Sequence, residues 1–231
     1  MSRFASRLSA AISSLFAGLS RAERRQRSRH DLVGSASLWK MKRDFQLAFL
    51  LNRGLQPGHK VVDIGCGTLR GGIPIIEYLD EGNYYGIEAR EEALAEARRE
   101  LEQHRLAGKG AHLVHASDLK ALSLPTRFDF AWAFSVLFHM PDEVLEGCID
   151  FVGRQLAAGG SLYANVHIGS RNPKRWKEFP VVWRSLEQYR ALGARHGLEV
   201  EDIGSLYDVG HRSGRSSHDQ QRVLRFHSAG E

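Results

Sequence analysis

The chain has 231 residues, of which 42% are hydrophobic, and this is enough for one sizeable buried core. Its formal net charge is +5, but residues 1–30 hold seven arginines and one glutamate, so the remainder is close to neutral and lacks the basic surface typical of nucleic-acid binding. The two cysteines, Cys66 and Cys148, are too few for a disulfide framework or a cysteine-based metal site, which favours a reducing, cytoplasmic location.

Residues 1–30 are predicted to form a basic arm ahead of a single folded domain over residues 31–231. Apolar residues recur near one face of a possible amphipathic helix in the first 20 positions. Three interpretations stay open: a transit peptide, a helix that weakly contacts an anionic membrane surface, and a flexible arm. The flexible arm is favoured because serines interrupt the apolar stretch. No run approaches the 18 apolar residues of a membrane span, and the sequence indicates no particular oligomeric state.

Deletion of residues 1–30 should leave the melting temperature nearly unchanged, because a basic, serine-rich composition buries little surface. Thermal denaturation of the full and shortened chains measures this. Loss of folding on deletion would show instead that the arm packs against the core.

The first predicted helix runs from Ser37, as its N-cap, to Arg53, and ends before Pro57 and Gly58. Beyond it, strands are predicted at 61–64, 84–87, 112–116, 128–134 and 161–166, with helices at 73–79, at 91–106 and after Pro141. This alternation predicts an α/β, Rossmann-like, doubly wound domain, in which helices cover both faces of a mostly parallel sheet. Ligands of such sheets bind at the carboxyl ends of the strands.

A glycine-rich turn follows the first strand, where residues 61–72 read VVDIGCGTLRGG. Glycines let the backbone approach a ligand closely. Asp63 would repel a pyrophosphate but would attract an ammonium group, and Arg70 occupies the place of the third glycine in the nicotinamide pattern. The turn therefore indicates S-adenosylmethionine, and a nicotinamide-dependent oxidoreductase is the alternative.

Two further acids follow later strands. Glu88 closes the second strand, 25 residues after Asp63, where a carboxylate accepts hydrogen bonds from both ribose hydroxyls. Asp118 follows Ser117 after the third strand and could accept a hydrogen bond from the amine of adenine, or simply close a turn.

Over residues 60–166 these motifs resemble the class I S-adenosylmethionine-dependent methyltransferases. The stretches 128–140 and 156–162 resemble the family's fourth strand and the turn that enters its fifth. The resemblance implies seven strands, the last antiparallel, with a closing pair near 198–203 and 222–226. It also implies a cofactor site made of Asp63, Gly65, Cys66, Gly67, Thr68, Arg70, Glu88, Ala89, Ser117, Asp118, Leu119 and Ser135. No Asn/Asp-Pro-Pro-Tyr/Phe motif follows the fourth strand, which disfavours methylation of amino groups in DNA bases or glutamine.

The predicted general base is His139, whose imidazole suits removal of a hydroxyl proton at neutral pH; the alternative is a histidine that only caps a helix or lines the cofactor. Residues expected to face the acceptor, the molecule that receives the methyl group, are Trp39, Asn165, Trp183, His211 and Arg212. Their character indicates a polar small molecule. Methylation at oxygen is favoured because His139 could activate a hydroxyl group. A non-enzymatic, membrane-associated cofactor-binding regulator is a further alternative. His211, His218 and Asp219 share one polar segment, but no metal site is predicted.

The helix over residues 37–53 is expected, from the resemblance, to lie across the mouth of the cofactor site. Its spacing turns Trp39 and Lys42 partly outward while the apolar residues pack inward. Two cations then compete for the carboxylate of the cofactor. Arg70 is favoured over Lys42, because a guanidinium can form a bidentate pair.

Overall fold

The computed structural model describes residues 32–34, 36–171 and 174–228, so the arm predicted over residues 1–30 lies outside the described residues. Seven strands form one sheet: β1 Val61–Ile64, β2 Tyr84–Glu88, β3 His112–His115, β4 Phe128–Ala133, β5 Leu156–Val166, β8 Leu198–Ser205 and β9 Arg222–Ser228. Their order in the sheet is β3-β2-β1-β4-β5-β9-β8. All neighbouring strands pair in parallel except β9, which is antiparallel to both β5 and β8. This confirms the predicted Rossmann-like sheet.

Helices cover both faces of this sheet because each buries one apolar side. They are α1 Trp39–Asn52, α2 Gly72–Tyr78, α3 Glu91–Gln103, α4 Asp142–Gln155, α5 Leu186–Arg195 and the short α6 Ser216–Asp219. Phe45 and Phe49 of α1 join Ile73 of α2 and Leu94 of α3 in the core on one face. On the other face, α4 and α5 contribute residues such as Ile149 and Leu192. None of the helices in the described ranges is long and apolar enough to cross a membrane.

Several boundaries differ from the predictions. Ser37 is not an N-cap: it lies in a 3-10 turn, Ala36–Leu38, and α1 starts at Trp39 without a side-chain cap. The fifth strand begins at Leu156, five residues before the predicted start, because α4 runs directly into it. A further helix, α5, starts after Trp183, and its capping box is built on Ser185.

A two-stranded hairpin, β6 Lys174–Trp176 and β7 Phe179–Val181, lies between β5 and α5, where no strand is predicted from the sequence. Its turn contains Lys177 at φ +54°, a conformation usually given to glycine or asparagine, so the sequence carries no hairpin signal. Val182 N–H donates to the Phe138 carbonyl at 2.8 Å. The hairpin is thereby attached to the turn that follows β4.

Candidate active site

A cavity of about 1150 Å³ opens at the carboxyl ends of β1 to β5. Its wall is built from the turns that leave these strands, from α1, and from the hairpin. Single-ligand pockets have volumes of roughly 300–1000 Å³, so this cavity has room for a cofactor together with a second small molecule.

The glycine turn after β1 forms a tight cradle at the bottom of the cavity. Gly65 and Gly67 have φ angles of 72° and 57°. A Cβ at Gly65 would lie 2.6 Å from a methyl of Val136, and one at Gly67 would lie 2.6 Å from a methyl of Val33. Only glycine gives this close approach without strain. The two glycines therefore allow Val136 and Val33 to pack closely against the turn, and the turn itself lines the cavity.

Asp63 lies at the end of this cradle and is buried. Its Oδ2 accepts a hydrogen bond of 2.7 Å from the Tyr84 hydroxyl. Burial raises the pKa of Asp63 to about 7, with a further upward contribution from Glu88 and opposing ones from the Tyr84 hydrogen bond and Arg70. The carboxyl group is thus poised to ionise beside a ligand that brings a positive charge.

Glu88 faces the same cradle from the end of β2. Its Oε2 accepts the Gly67 N–H at 3.0 Å, and its Oε1 accepts the backbone N–H and Nε–H of Arg90 at 3.1 and 3.0 Å. Arg90 in turn donates to the Leu32 carbonyl at 3.1 Å. The carboxylate is fixed in orientation and borders the cavity, as its predicted ribose contact requires.

Two basic side chains, the buried Arg70 and the half-buried Lys42, line the cavity near the cradle. Arg70 donates from Nη1 to the Val33 carbonyl at 2.9 Å, and its buried Nε has no hydrogen-bond partner among the described residues. Burial lowers the pKa of Arg70 to about 10, against the pull of Asp63. Burial, Arg70 and Arg215 lower the pKa of Lys42 to about 7. The Nε–H of Arg70, which has no partner among the described residues, and the neighbouring Lys42 together fit an anionic group such as the carboxylate of the predicted cofactor.

The turn after β4 is held by Asn165 of β5. Ser135 has φ +62°, a strained conformation for a residue with a side chain. The fully buried Asn165 accepts the Ser135 N–H at 2.6 Å and donates to Gln221 Oε1 at 2.5 Å. Asn165 was expected to face the acceptor, but it lies behind the cavity wall, because both ends of its amide are used to position that wall.

His139 follows this turn and lines the cavity beside the hairpin. Its Nδ1 lies 2.7 Å from the Pro180 carbonyl, which can only accept, so Nδ1 carries the proton and Nε2 is the proton acceptor of the ring. Burial lowers the pKa of His139, and the Pro180 carbonyl partly opposes this shift. The ring is therefore neutral at pH 7, which is the form that a general base needs.

Most residues predicted to bind the cofactor lie in the cavity wall. They are Asp63, Gly65, Cys66, Gly67, Arg70, Glu88, Ala89, Ser117, Leu119 and Ser135. Two others do not: Thr68 is fully buried beneath the turn, and the exposed Asp118 accepts the Lys120 N–H at 2.9 Å. Asp118 thus closes a turn in the structure, and its contact with adenine stays a prediction.

Of the residues expected to face the acceptor, only Trp183 lines the cavity. Trp39 lies beneath the Arg70 guanidinium, 5.8 Å from ring centre to Cζ. His211 is fully buried and donates from Nδ1 to Asp219 at 2.7 Å, which places this pair in a structural contact. Arg212 stacks on Tyr207 at 3.8 Å. The segment between β8 and β9 that carries His211 and Arg212 does reach the cavity wall, but there it contributes Arg215, His218 and Gln221.

Sequence reasoning missed three residues that shape the site. Arg90 orients Glu88, and its only signal is a cation two positions after an acid at a strand end. Gln46 accepts the Trp132 indole N–H at 2.9 Å and lies so close to the turn that a Cβ at Gly71 would be 2.3 Å from its Oε1. His167 lines the cavity after β5, and nothing in its local sequence distinguishes it from a loop histidine.

Comparison with known proteins agrees with this geometry. Residues 61–160 match the family model described as a methyltransferase domain. A curated relative, (+)-O-methylkolavelool synthase from Herpetosiphon aurantiacus, is 29% identical over 164 residues, which are 66% of this chain and 55% of that protein. The family match indicates a methyltransferase domain over residues 61–160, in agreement with the resemblance of the sequence to the class I S-adenosylmethionine-dependent methyltransferases. The chain spans about half the length of this curated relative.

Solved structures share the methyltransferase fold at low identity. Magnesium protoporphyrin IX methyltransferase from Synechocystis, with S-adenosylmethionine bound, has a TM-score of 0.60 at 20% identity, over 82% of this chain and 79% of that one. A glycopeptide N-methyltransferase complexed with S-adenosylmethionine has a TM-score of 0.61 at 15% identity, over 79% of this chain and 92% of that one. At such identities the likeness establishes the methyltransferase fold and leaves the acceptor to be argued from the site.

Arg70→Ala should weaken S-adenosylmethionine binding at least about tenfold, because one desolvated, charge-assisted contact to the amino-acid carboxylate is lost. Methylthioadenosine lacks that carboxylate, so its affinity should change much less. Calorimetric titration of both ligands into the wild type and the variant makes the comparison. Equal losses for the two ligands would show that Arg70 acts only through the fold.

Proposed function

We propose that the protein transfers the methyl group of S-adenosylmethionine to a hydroxyl oxygen of a small molecule, with His139 as general base. The single observation that carries the proposal is the fixed tautomer of His139: the Pro180 carbonyl holds Nδ1–H at 2.7 Å and leaves Nε2 as the acceptor of the ring in the cavity wall. The same wall contains the glycine cradle, so the base and the cofactor site border one space.

The residues of the chain divide the binding of the cofactor among them. Glu88 would hold the ribose hydroxyls, and Asp63 would hold the ammonium group of the methionine part. Arg70, with Lys42 beside it, would hold the carboxylate. Ser117 and Leu119, after β3, would border the adenine. When bound, S-adenosylmethionine supplies a methyl group already activated by a sulfonium, which leaves as S-adenosylhomocysteine.

The chemistry left to the protein is alignment and removal of one proton. The cavity wall aligns the acceptor hydroxyl, which forms the new O–C bond as the S–C bond breaks. The hydroxyl proton passes to Nε2 of His139, and the Pro180 carbonyl stabilises the imidazolium through Nδ1–H. Proton transfer of this kind contributes roughly 10²- to 10⁴-fold to a rate.

The sequence predicts a polar acceptor mainly from His211 and Arg212. Both lie away from the cavity, and the polar side chains that their segment does bring into its wall are Arg215, His218 and Gln221. The nicotinamide alternative has no support in the site. Gln46 packs so closely over Gly71 that α1 covers the turn where a pyrophosphate would approach α2.

Incubation of the full chain with S-adenosylmethionine labelled in the methyl group, together with a fractionated small-molecule extract, tests the proposal. We expect label in a small-molecule fraction, a mass gain of one methylene, and an O-methyl signal in the NMR spectrum. Label on nitrogen or carbon would refute oxygen transfer. Cofactor binding without any turnover would favour the non-enzymatic regulator.

Affinity for S-adenosylmethionine should fall with decreasing pH below about 7. The carboxyl group of Asp63 holds its proton there, because burial has raised its pKa to about 7, and the ammonium group binds the ionised form. Binding must then release one proton, so affinity falls by up to about tenfold per pH unit. Lys42, whose pKa is lowered to about 7, gains its proton in the same window, which favours binding of the cofactor carboxylate and partly offsets the loss. His167 and His218, with pKa values lowered to about 4, stay neutral there.

Calorimetry in two buffers of different ionisation enthalpy, at about pH 5.5 and about pH 7.5, measures both the affinity and the proton release. Asp63→Asn keeps an acceptor for the Tyr84 hydroxyl and removes the titration. It should bind weakly, and its affinity should not fall as the pH drops below 7. A wild-type affinity with the same pH dependence as this variant would remove Asp63 from the ammonium contact.

A further inference from the structure

The acceptor side of the cavity is lined by a continuous arc of aromatic rings. The centres of neighbouring rings lie 4.4 to 6.2 Å apart along this arc, which includes two stacked pairs. We name it the aromatic arc, and in spatial order it consists of Trp183, His167, Phe138, His139, Trp176 and Phe179. The predicted base is therefore a member of the arc, so a ring resting against it would present its substituents to His139.

Part of this apolar surface is unusually exposed. Four large hydrophobic residues within the described ranges are exposed, and two of them line the cavity. Val144 is 42% exposed and Trp176 is 37% exposed. Trp176 stacks on Phe179 with ring planes 19° apart, is tilted against His139, and has Nζ of Lys177 5.0 Å from its ring centre. Apolar surface gathered at a cavity mouth is typical of a site that binds an apolar ligand.

One edge of the aromatic arc is positively charged. Cζ of Arg171 lies 5.9 Å from the centre of the Trp183 ring, and Lys174 begins β6 in the same wall. Both side chains are exposed, and within the described residues neither forms an ion pair with a carboxylate. The acids of the cavity wall have other hydrogen-bond partners: Tyr84 for Asp63, Arg90 for Glu88 and Arg222 for Asp202.

We propose that the acceptor is a flat aromatic molecule that carries a carboxylate and a ring hydroxyl: its rings pack on the aromatic arc, its carboxylate pairs with Arg171 and Lys174, and its hydroxyl meets His139. This deepens the proposed function and rests on it. The rings supply the apolar face that Trp176 and Val144 offer, and the anion complements a cationic edge that lacks a carboxylate partner.

The low basicity of His139 suits an acceptor whose hydroxyl group is acidic, as a ring hydroxyl is. Burial lowers the pKa of His139, which makes the imidazole a weak base. A phenolic hydroxyl has a pKa of about 10, like tyrosine, and is far more acidic than an alkyl alcohol. A weak base can assist ionisation of the former much more effectively than that of the latter.

Three probe molecules test the proposal on the full chain with S-adenosylhomocysteine bound: 6-hydroxy-2-naphthoate, 2-naphthol and glucose. Calorimetry should show that the naphthoate binds at least about fivefold more tightly than 2-naphthol, as expected for two exposed ion pairs. Glucose should show no measurable binding. Glucose binding as strongly as the naphthoate, or equal affinity for the two naphthalenes, would overturn the proposal.

Variants separate the two parts of the site. The double variant Arg171→Gln/Lys174→Gln should reduce the naphthoate affinity to that of 2-naphthol and leave 2-naphthol unchanged. Its charge-matched control is Lys120→Gln/Arg190→Gln, at exposed positions outside the cavity wall, and it should behave as the wild type. Trp176→Leu, also at an exposed position, should weaken both naphthalenes. Unchanged binding of both naphthalenes in Trp176→Leu, or loss of the naphthoate preference in the control, would contradict the assignment.

Methyl transfer from S-adenosylmethionine to the naphthoate distinguishes this inference from the proposed function. The expected product is the methyl ether, which resists mild alkali, whereas a methyl ester would hydrolyse and would overturn the placement of the hydroxyl. Naphthoate that binds as expected but receives no methyl group would support the acceptor class and refute oxygen transfer. Turnover of other small molecules without naphthoate binding would overturn the acceptor class and leave the proposed function standing.

Discussion

Replacement of Glu88 by alanine should weaken binding of S-adenosylmethionine at least about tenfold. The carboxylate would accept two charge-assisted hydrogen bonds from the ribose, and each is worth about 1.5–3 kcal/mol. A change of 1.4 kcal/mol in binding free energy corresponds to about tenfold in affinity. Part of the free energy of the two ribose hydrogen bonds is offset by the contacts that Glu88 already makes to Arg90, so the expected loss is a lower bound. Calorimetric titration of the full-length variant measures the loss.

The matched control is Glu92→Ala, which removes an exposed carboxylate from the first turn of α3 outside the cavity wall. It should bind the cofactor as the wild type does. Both variants should keep a cooperative thermal transition, which shows that the fold is retained. A Glu88→Ala protein with wild-type affinity would remove the ribose assignment.

Replacement of His139 by glutamine should lower the rate of methyl transfer at least about hundredfold while the cofactor affinity changes little. Glutamine keeps a donor for the Pro180 carbonyl but cannot take a proton, so the change isolates base catalysis. Initial rates with the acceptor from the labelled-cofactor screen provide the measurement. The wild-type rate should fall as the pH drops through the His139 pKa, which burial has lowered, because the ring then becomes protonated.

The control for this experiment is His104→Gln, at an exposed position at the end of α3. It should leave both the rate and its pH profile unchanged. If His139→Gln turned over at the wild-type rate, alignment alone would account for the catalysis, and the histidine would be only a part of the aromatic arc.

The sheet and the cofactor cradle could be predicted because their signals are local. The central strands β1, β2 and β4 are short, buried and largely apolar, and the turn from Asp63 to Gly67 combines an acid with two glycines that need positive φ angles. The position of Glu88 follows from the same logic, since the carboxyl ends of parallel strands meet at one edge. Local chemistry and strand order together therefore predicted residues that the structure brings into one cavity wall, and their contacts with the cofactor stay predictions.

The acceptor half could not be predicted in the same way, because tertiary contacts build it. The hairpin turns at Lys177 without a glycine, and its place over His139 depends on the Val182 N–H that donates to Phe138. Asn165 and His211 carry polar groups suited to a ligand. Burial instead pairs them with Ser135 and Asp219, and no spacing in the sequence indicates those partners.

The most direct test of the central claim is a calorimetric titration of the full chain with S-adenosylmethionine and, separately, with the reduced nicotinamide dinucleotide. We expect S-adenosylmethionine to bind once per chain with a dissociation constant in the micromolar range, and the dinucleotide to produce no binding heat. Binding of the dinucleotide in place of S-adenosylmethionine, or binding of neither, would contradict the account.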